Sequence, residues 1–130
     1  MINAIFFARP EEGTITMRVS GHAQSDEKGK DLICASASIL AMTLAYAIGY
    51  ADTEKKFIED PDVYMENGRT RITVKPSAES FAEILHAFFI VQIGFCLLSD
   101  VYPDRVSVVS FNESVKDFIN KEDPSTLRTE

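Results

Sequence analysis

The stretch Leu32-Ile33-Cys34-Ala35-Ser36-Ala37-Ser38-Ile39-Leu40-Ala41-Met42-Thr43-Leu44-Ala45-Tyr46-Ala47-Ile48-Gly49-Tyr50-Ala51 runs for twenty residues without a charge. That is long enough to span a bilayer. Only six of its residues are Leu or Ile, and Ala, Ser, Thr and Gly fill most of the remainder. Small residues gain little on transfer to hydrocarbon but let a helix pack closely. The segment therefore reads as a core helix of a soluble domain rather than a membrane span. Asp31 stands directly ahead of it as the expected N-cap, and the helix is expected to run to about Tyr50.

Paired strands lie on either side. Residues 1–8 and 13–20 read as a hairpin turning around Pro10 to Gly13. In its second arm Ile15, Met17 and Val19 alternate with Thr14, Thr16, Arg18 and Ser20, the period of a strand with one buried face. Residues 56–65 and 69–75 read as a second hairpin bent at Asn67-Gly68. Pro76-Ser77 opens a second apolar helix over about 78–99, carrying Phe81, Ile84, Leu85, Phe88, Phe89, Val91, Phe95 and Leu98. Pro103 stops it, and Arg105-Val106-Ser107-Val108-Val109-Ser110-Phe111 reads as a fifth strand. The fold class is α+β: a mostly antiparallel sheet of four to five strands with two main helices, in the order β-β-α-β-β-α-β.

The 130 residues suit one domain, assigned here to residues 1–111. Residues 112–130 are expected to form a short helix to Lys121 and then a polar, flexible tail. Thirteen Lys and Arg against twenty Asp and Glu leave a net charge of -7. That charge argues against a broad nucleic-acid footprint and favours a basic partner. Arg69, Arg71 and Lys75 are too diluted for a nucleic-acid patch and read as a solvated face. The first residues lack the basic segment of a secretory signal, which predicts a cytoplasmic protein with reduced cysteines.

The reactive inventory is Cys34, Cys96, His22 and His86. His86 and Cys96 sit on one helix, roughly 15 Å apart at about 1.5 Å per residue, too far to act on each other. Cys96 reads as core packing and His86 as a core-edge or surface residue. No paired Cys spacing supports zinc, so no metal and no cofactor are expected. His22 closes a strand after Gly21, and Cys34 follows a polar loop, in the first turn of the expected helix. Free N–H groups and the positive end of the dipole there would stabilise a thiolate and an oxyanion beside it. A nearby imidazole could take the thiol proton and return it to a leaving amine. A capping Asp31 opposes this by occupying a donor and adding negative charge. Spacing alone leaves a second reading open, a tightly packed and inert cysteine in an interaction module. A third, a redox thiol, requires Cys96 within about 7 Å of Cys34 between Cα atoms.

Gly21-His22-Ala23, then Gly29-Lys30-Asp31-Leu32-Ile33-Cys34-Ala35 and Ser38, resemble the ribosomal-processing cysteine protease family, Prp. The likeness extends to the order of elements from Met1 to about Phe111. It implies that His22 is the catalytic histidine and Cys34 the nucleophile. It also places Gly21, Ala23, Gly29, Asp31, Ala35 and Ser38 around bound substrate, with N–H groups near Ala35 on the oxyanion. The expected substrate is the precursor of the twenty-seventh large-subunit ribosomal protein, which would lose a short N-terminal extension. The expected assembly is a homodimer, with no direct nucleic-acid or membrane partner. Between the two motif elements, Gln24-Ser25-Asp26-Glu27-Lys28 is poorer in glycine and aromatics than in that family.

Overall fold

The computed structural model describes residues 1–22 and 28–110, and of residues 28–31 the backbone alone. The expected helix and tail over 112–130 lie outside the described residues. The elements follow the expected order: β1 (Ile2–Arg9), β2 (Thr14–Gly21), α1 (Lys28–Thr53), β3 (Asp62–Glu66), β4 (Arg69–Val74), α2 (Phe81–Val101) and β5 (Val106–Ser110). A single 3₁₀ turn, Ala78–Ser80, leads into α2.

The five strands form one sheet in the order β3-β4-β2-β1-β5. The β1–β2, β2–β4 and β3–β4 ladders are antiparallel. Among the described strands only β5 runs parallel to its neighbour, pairing Ile2 with Val106 and Phe6 with Ser110. A parallel pair needs a crossover, and α2 supplies it.

The registers place Ile2, Ala4, Phe6 and Ala8 beside Val19, Met17 and Ile15 on one face, continued by Ile72 and Val74 of β4 and Val106 of β5. All of these are buried. Against them α1 turns Ile33, Ala37, Ala41, Leu44, Ile48 and Ala51, spaced three and four apart, and α2 turns Ile84, Phe88, Val91 and Phe95. Two stripes of helical period thus meet one face of strand period. Each large side chain so enclosed stabilises the fold by about 1.5–3 kcal/mol. Both helices are long and apolar enough to cross a membrane by length and composition. Their inner stripes nevertheless pack on the sheet, as the sequence reading expects. Their outer faces carry exposed Ile39, Tyr46, Tyr50, Ile90, Leu97 and Val101.

Three local expectations are corrected. α1 begins at Lys28, three residues before Asp31, so Asp31 lies within the first turn and is not the N-cap. Lys28 and Lys30 are adequate helix formers, and the cost of Gly29, about 1 kcal/mol, is offset by the packed turns that follow. β3 begins at Asp62, not at residue 56. Lys55 leaves the helix with φ +59, and Pro61 has no N–H for a ladder, so the intervening chain makes only the single bridge Phe57↔Pro76. Finally, Cys96 is exposed on α2 rather than packed in the core.

Candidate active site

β2 ends at Gly21, whose φ of +98 lies in the region that favours glycine. A Cβ there would run into the Met1 carbonyl oxygen. The Gly21 N–H donates to the Gly68 carbonyl at 3.0 Å, tying the strand end to the β3–β4 turn. His22 comes next, and its carbonyl accepts from the Met1 ammonium at 2.6 Å. Its position is therefore fixed by its own carbonyl and by the neighbouring Gly21 N–H, while the residue as a whole stays exposed.

Cys34 is half-buried on α1. With the helix starting at Lys28, Cys34 is its seventh residue and sits in the second turn. Only the first four N–H groups of a helix lack a partner within it, so those of Cys34 and Ala35 belong to the helix ladder. The expectation that N–H groups near Ala35 hold an oxyanion is therefore not met in this arrangement. The same shift removes the first-turn dipole argument, which falls off beyond that turn.

His22 and Cys34 line one open cavity of about 310 Å³. That is within the range of small-molecule and peptide side-chain sites. One wall is α1, through Cys34, Ala37, Ser38, Ala41 and Met42; the other is the β3–β4 hairpin from Met65 to Thr70; Ile2, Val19, Gly21 and His22 close the rest. The cavity exists because β3 lies at the sheet edge, where its inward residues Val63 and Met65 stay exposed instead of meeting a helix. Its lining is mixed: two methionines and alanines give it apolar surface, while Glu66 and Arg69 place both charge signs at the hairpin.

Of the residues expected from sequence, Gly21, His22, Cys34 and Ser38 come together at this cavity. Ala35 is exposed on α1 and is not part of the lining. Gly29 and Asp31 fall in the first turn of α1, and Ala23 lies outside the described residues. His86 is exposed on α2, apart from the cavity lining. Sequence reasoning missed Met42, Met65, Gly68 and Arg69. Met42 had a legible signal, since Cys34, Ser38 and Met42 stand four apart on one helix face. Met65 did too, through strand alternation. Nothing local brings the Asn67-Gly68 turn to His22; only the pairing of β4 with β2 does.

Residues 1–107 match the family model described as "Cysteine protease Prp". Among solved structures, a Streptococcus mutans protein superposes with TM-score 0.59 at 22% identity, covering 87% of this chain and 96% of that one. The ribosomal-processing protease Prp of Staphylococcus aureus, crystallised with a substrate peptide, gives TM-score 0.61 at 20% identity, over 85% of this chain and 99% of that one. A further Staphylococcus aureus protein described as hypothetical gives 0.52 at 16%, over 85% and 99%. None of the curated proteins matches. At these identities the solved structures speak for the fold alone, whereas the family match takes in every element of it, from β1 to the first residues of β5. The motif, the order of elements and that match agree: the chain belongs to the Prp family of cysteine proteases.

Proposed function

We propose that this chain removes the N-terminal extension of the twenty-seventh large-subunit ribosomal protein during bacterial ribosome maturation, with Cys34 as nucleophile and His22 as its base. The observation that carries the reading is that His22 and Cys34, twelve residues apart in sequence, line one open cavity in a chain matched to a cysteine protease family over residues 1–107. An inert core thiol would be closed off. Cys34 opens onto space large enough for a peptide side chain.

In this reading His22 accepts the Cys34 proton, and the sulfur attacks the scissile carbonyl to give a tetrahedral intermediate. Its collapse breaks the C–N bond, the imidazolium proton goes to the leaving amine, and a thioester remains. Water, deprotonated by His22, hydrolyses the thioester and restores the thiol. Gly21 and Ser38 border the bound peptide. Ala23, in the segment joining β2 to α1, and Gly29, Asp31 and Ala35, in the first two turns of α1, flank it. Asp31 is assigned no triad role. The net charge of -7 draws a Lys/Arg-rich substrate and acts mainly on encounter rate.

The protein works in the cytoplasm as a homodimer, without direct nucleic-acid or membrane contact. The exposed apolar outer faces of α1 and α2 supply the dimer surface. The deciding experiment incubates the protein with the same organism's ribosomal precursor and reads products by mass. Wild type should release one N-terminal fragment, and Cys34→Ser none. An intact precursor after prolonged incubation with wild type would overturn the substrate assignment.

A further inference from the structure

The His22 ring lies directly against Gly68, in the bend of the β3–β4 hairpin. A Cβ built on Gly68 would stand 2.6 Å from Nε2, 2.9 Å from Cε1 and 3.5 Å from Cδ2. The first two separations are closer than a carbon can approach, so any side chain at this position would take the space the imidazole occupies. The far end of a histidine side chain is free to swing, and the ring, not the backbone, would give way. Gly68 and His22 line the same cavity as Cys34, so displacement of the ring alters its place relative to the thiol.

We propose that Gly68 is a positioning residue for the imidazole: the missing side chain in the Asn67-Gly68 turn is the seat of the His22 ring. The inference rests on the reading of His22 as the base for Cys34. Two independent demands meet at this glycine. Its φ of +82 favours glycine for backbone reasons, and the ring contact requires it for space. The Gly68 carbonyl also accepts the Gly21 N–H at 3.0 Å, which fixes the turn to the residue preceding His22. Strand end and turn are thereby held together beside the ring.

The two demands separate experimentally because the molecule contains a control. Gly13, in the β1–β2 hairpin, also has positive φ, +72, but among the described residues a Cβ there would meet only the Lys75 side chain at 3.9 Å, an ordinary contact. Gly13→Ala carries the backbone cost without touching His22. Gly68→Asn supplies a residue that tolerates positive φ yet brings a Cβ against the ring.

The probe is iodoacetamide. The thiol proton passes to His22, a bond forms from the Cys34 sulfur to the acetamide carbon, and iodide leaves. Alkylation at Cys34 is followed by mass of its tryptic peptide from pH 5 to 9, on wild type, Gly13→Ala, Gly68→Ala, Gly68→Asn, His22→Ala and the double variant His22→Ala/Gly68→Ala. Thermal unfolding is measured alongside.

Gly13→Ala and Gly68→Ala should lower the unfolding temperature by similar amounts. His22→Ala should slow alkylation near neutral pH by about tenfold or more, and both Gly68 variants by a comparable factor with an altered pH profile. Gly13→Ala should alkylate as wild type does, and the double variant should be no slower than His22→Ala. If His22→Ala slows the reaction but the Gly68 variants match Gly13→Ala, the positioning role is wrong and the base assignment stands. Additional loss in the double variant also overturns it, because the turn then acts by another route. If His22→Ala itself alkylates normally, the base assignment falls and the positioning role with it. Should Gly68→Ala fail to fold, Gly68→Asn alone decides the question by the same comparison.

Discussion

Phe95 of α2 meets Phe6 of β1 with ring centroids 5.9 Å apart and planes tilted by 59°, at the point where the helix layer lies on the sheet. Phe95 is wholly buried. Phe95→Ala should cost about 3–5 kcal/mol through lost transfer energy and the cavity left behind. Urea denaturation monitored by circular dichroism should show the midpoint fall accordingly. A change under 1 kcal/mol would mean that this layer repacks freely, contrary to the close interlock described.

Gly21→Ala should be harmful at the site as well as to stability. Its φ of +98 is strained for alanine, and the added carbon meets the Met1 carbonyl. A loss of about 1–3 kcal/mol follows from backbone strain of this kind. Because His22 is the next residue, the rate of precursor cleavage should fall further than the unfolded fraction explains. Parallel measurement of stability and cleavage separates the two.

The apolar outer surface predicts its own test. Tyr50→Glu combined with Leu97→Glu places charge on exposed positions of α1 and α2 outside the cavity lining. The variant should keep its circular dichroism spectrum and sediment as a monomer at micromolar concentration, whereas wild type sediments as a dimer. A wild-type monomer would remove the dimer from the proposal.

Lys56 sits just beyond α1 and contacts Glu83 of α2, with Glu54 at 3.1 Å. Hydrogen bonding to Glu83, then to Glu54, raises its pKa above the ordinary 10.5. The folded state therefore holds this proton more tightly than the unfolded chain. Any stability gained is present in full below pH 10.5 and is lost as pH rises through the raised folded value. Lys56→Met should be slightly less stable than wild type at pH 7, with the gap closing above pH 10.5. The exposed setting keeps the effect small, and salt should shrink it further.

The layout was readable because period and burial agree along most of the chain. Ile15, Met17 and Val19 alternate as strand residues and are buried. Ile33, Ala37, Ala41, Leu44 and Ile48 recur at helical spacing and are buried too. Reading failed where local chemistry and tertiary packing pull apart. Lys28 to Asp31 are polar and include a glycine, yet the helix takes them in because its later turns are anchored on the sheet. Residues 56–61 carry Phe57 and Ile58, but Lys55 and Pro61 deny them a ladder. At the site, His22 and Cys34 were legible as a motif. The wall facing them was not, since Gly68 reaches His22 only through the register that pairs Ser20 with Arg69.

The parallel pairing of β1 with β5 has a consequence for how the molecule comes into being. Asn3 and Ser107 join side chains at 2.7 Å across 104 positions of sequence. A nascent chain can form the β1–β2 hairpin early, because that contact is local. It cannot give β1 its second neighbour until residues 106–110 have left the ribosome. Until then one flank of β1 offers unpaired N–H and C=O groups to any passing strand. Such late, long-range closure slows folding relative to a domain built from nearest neighbours. On the function proposed above, the substrate would thus be a component of the machine that must finish releasing the protein before its own sheet can close.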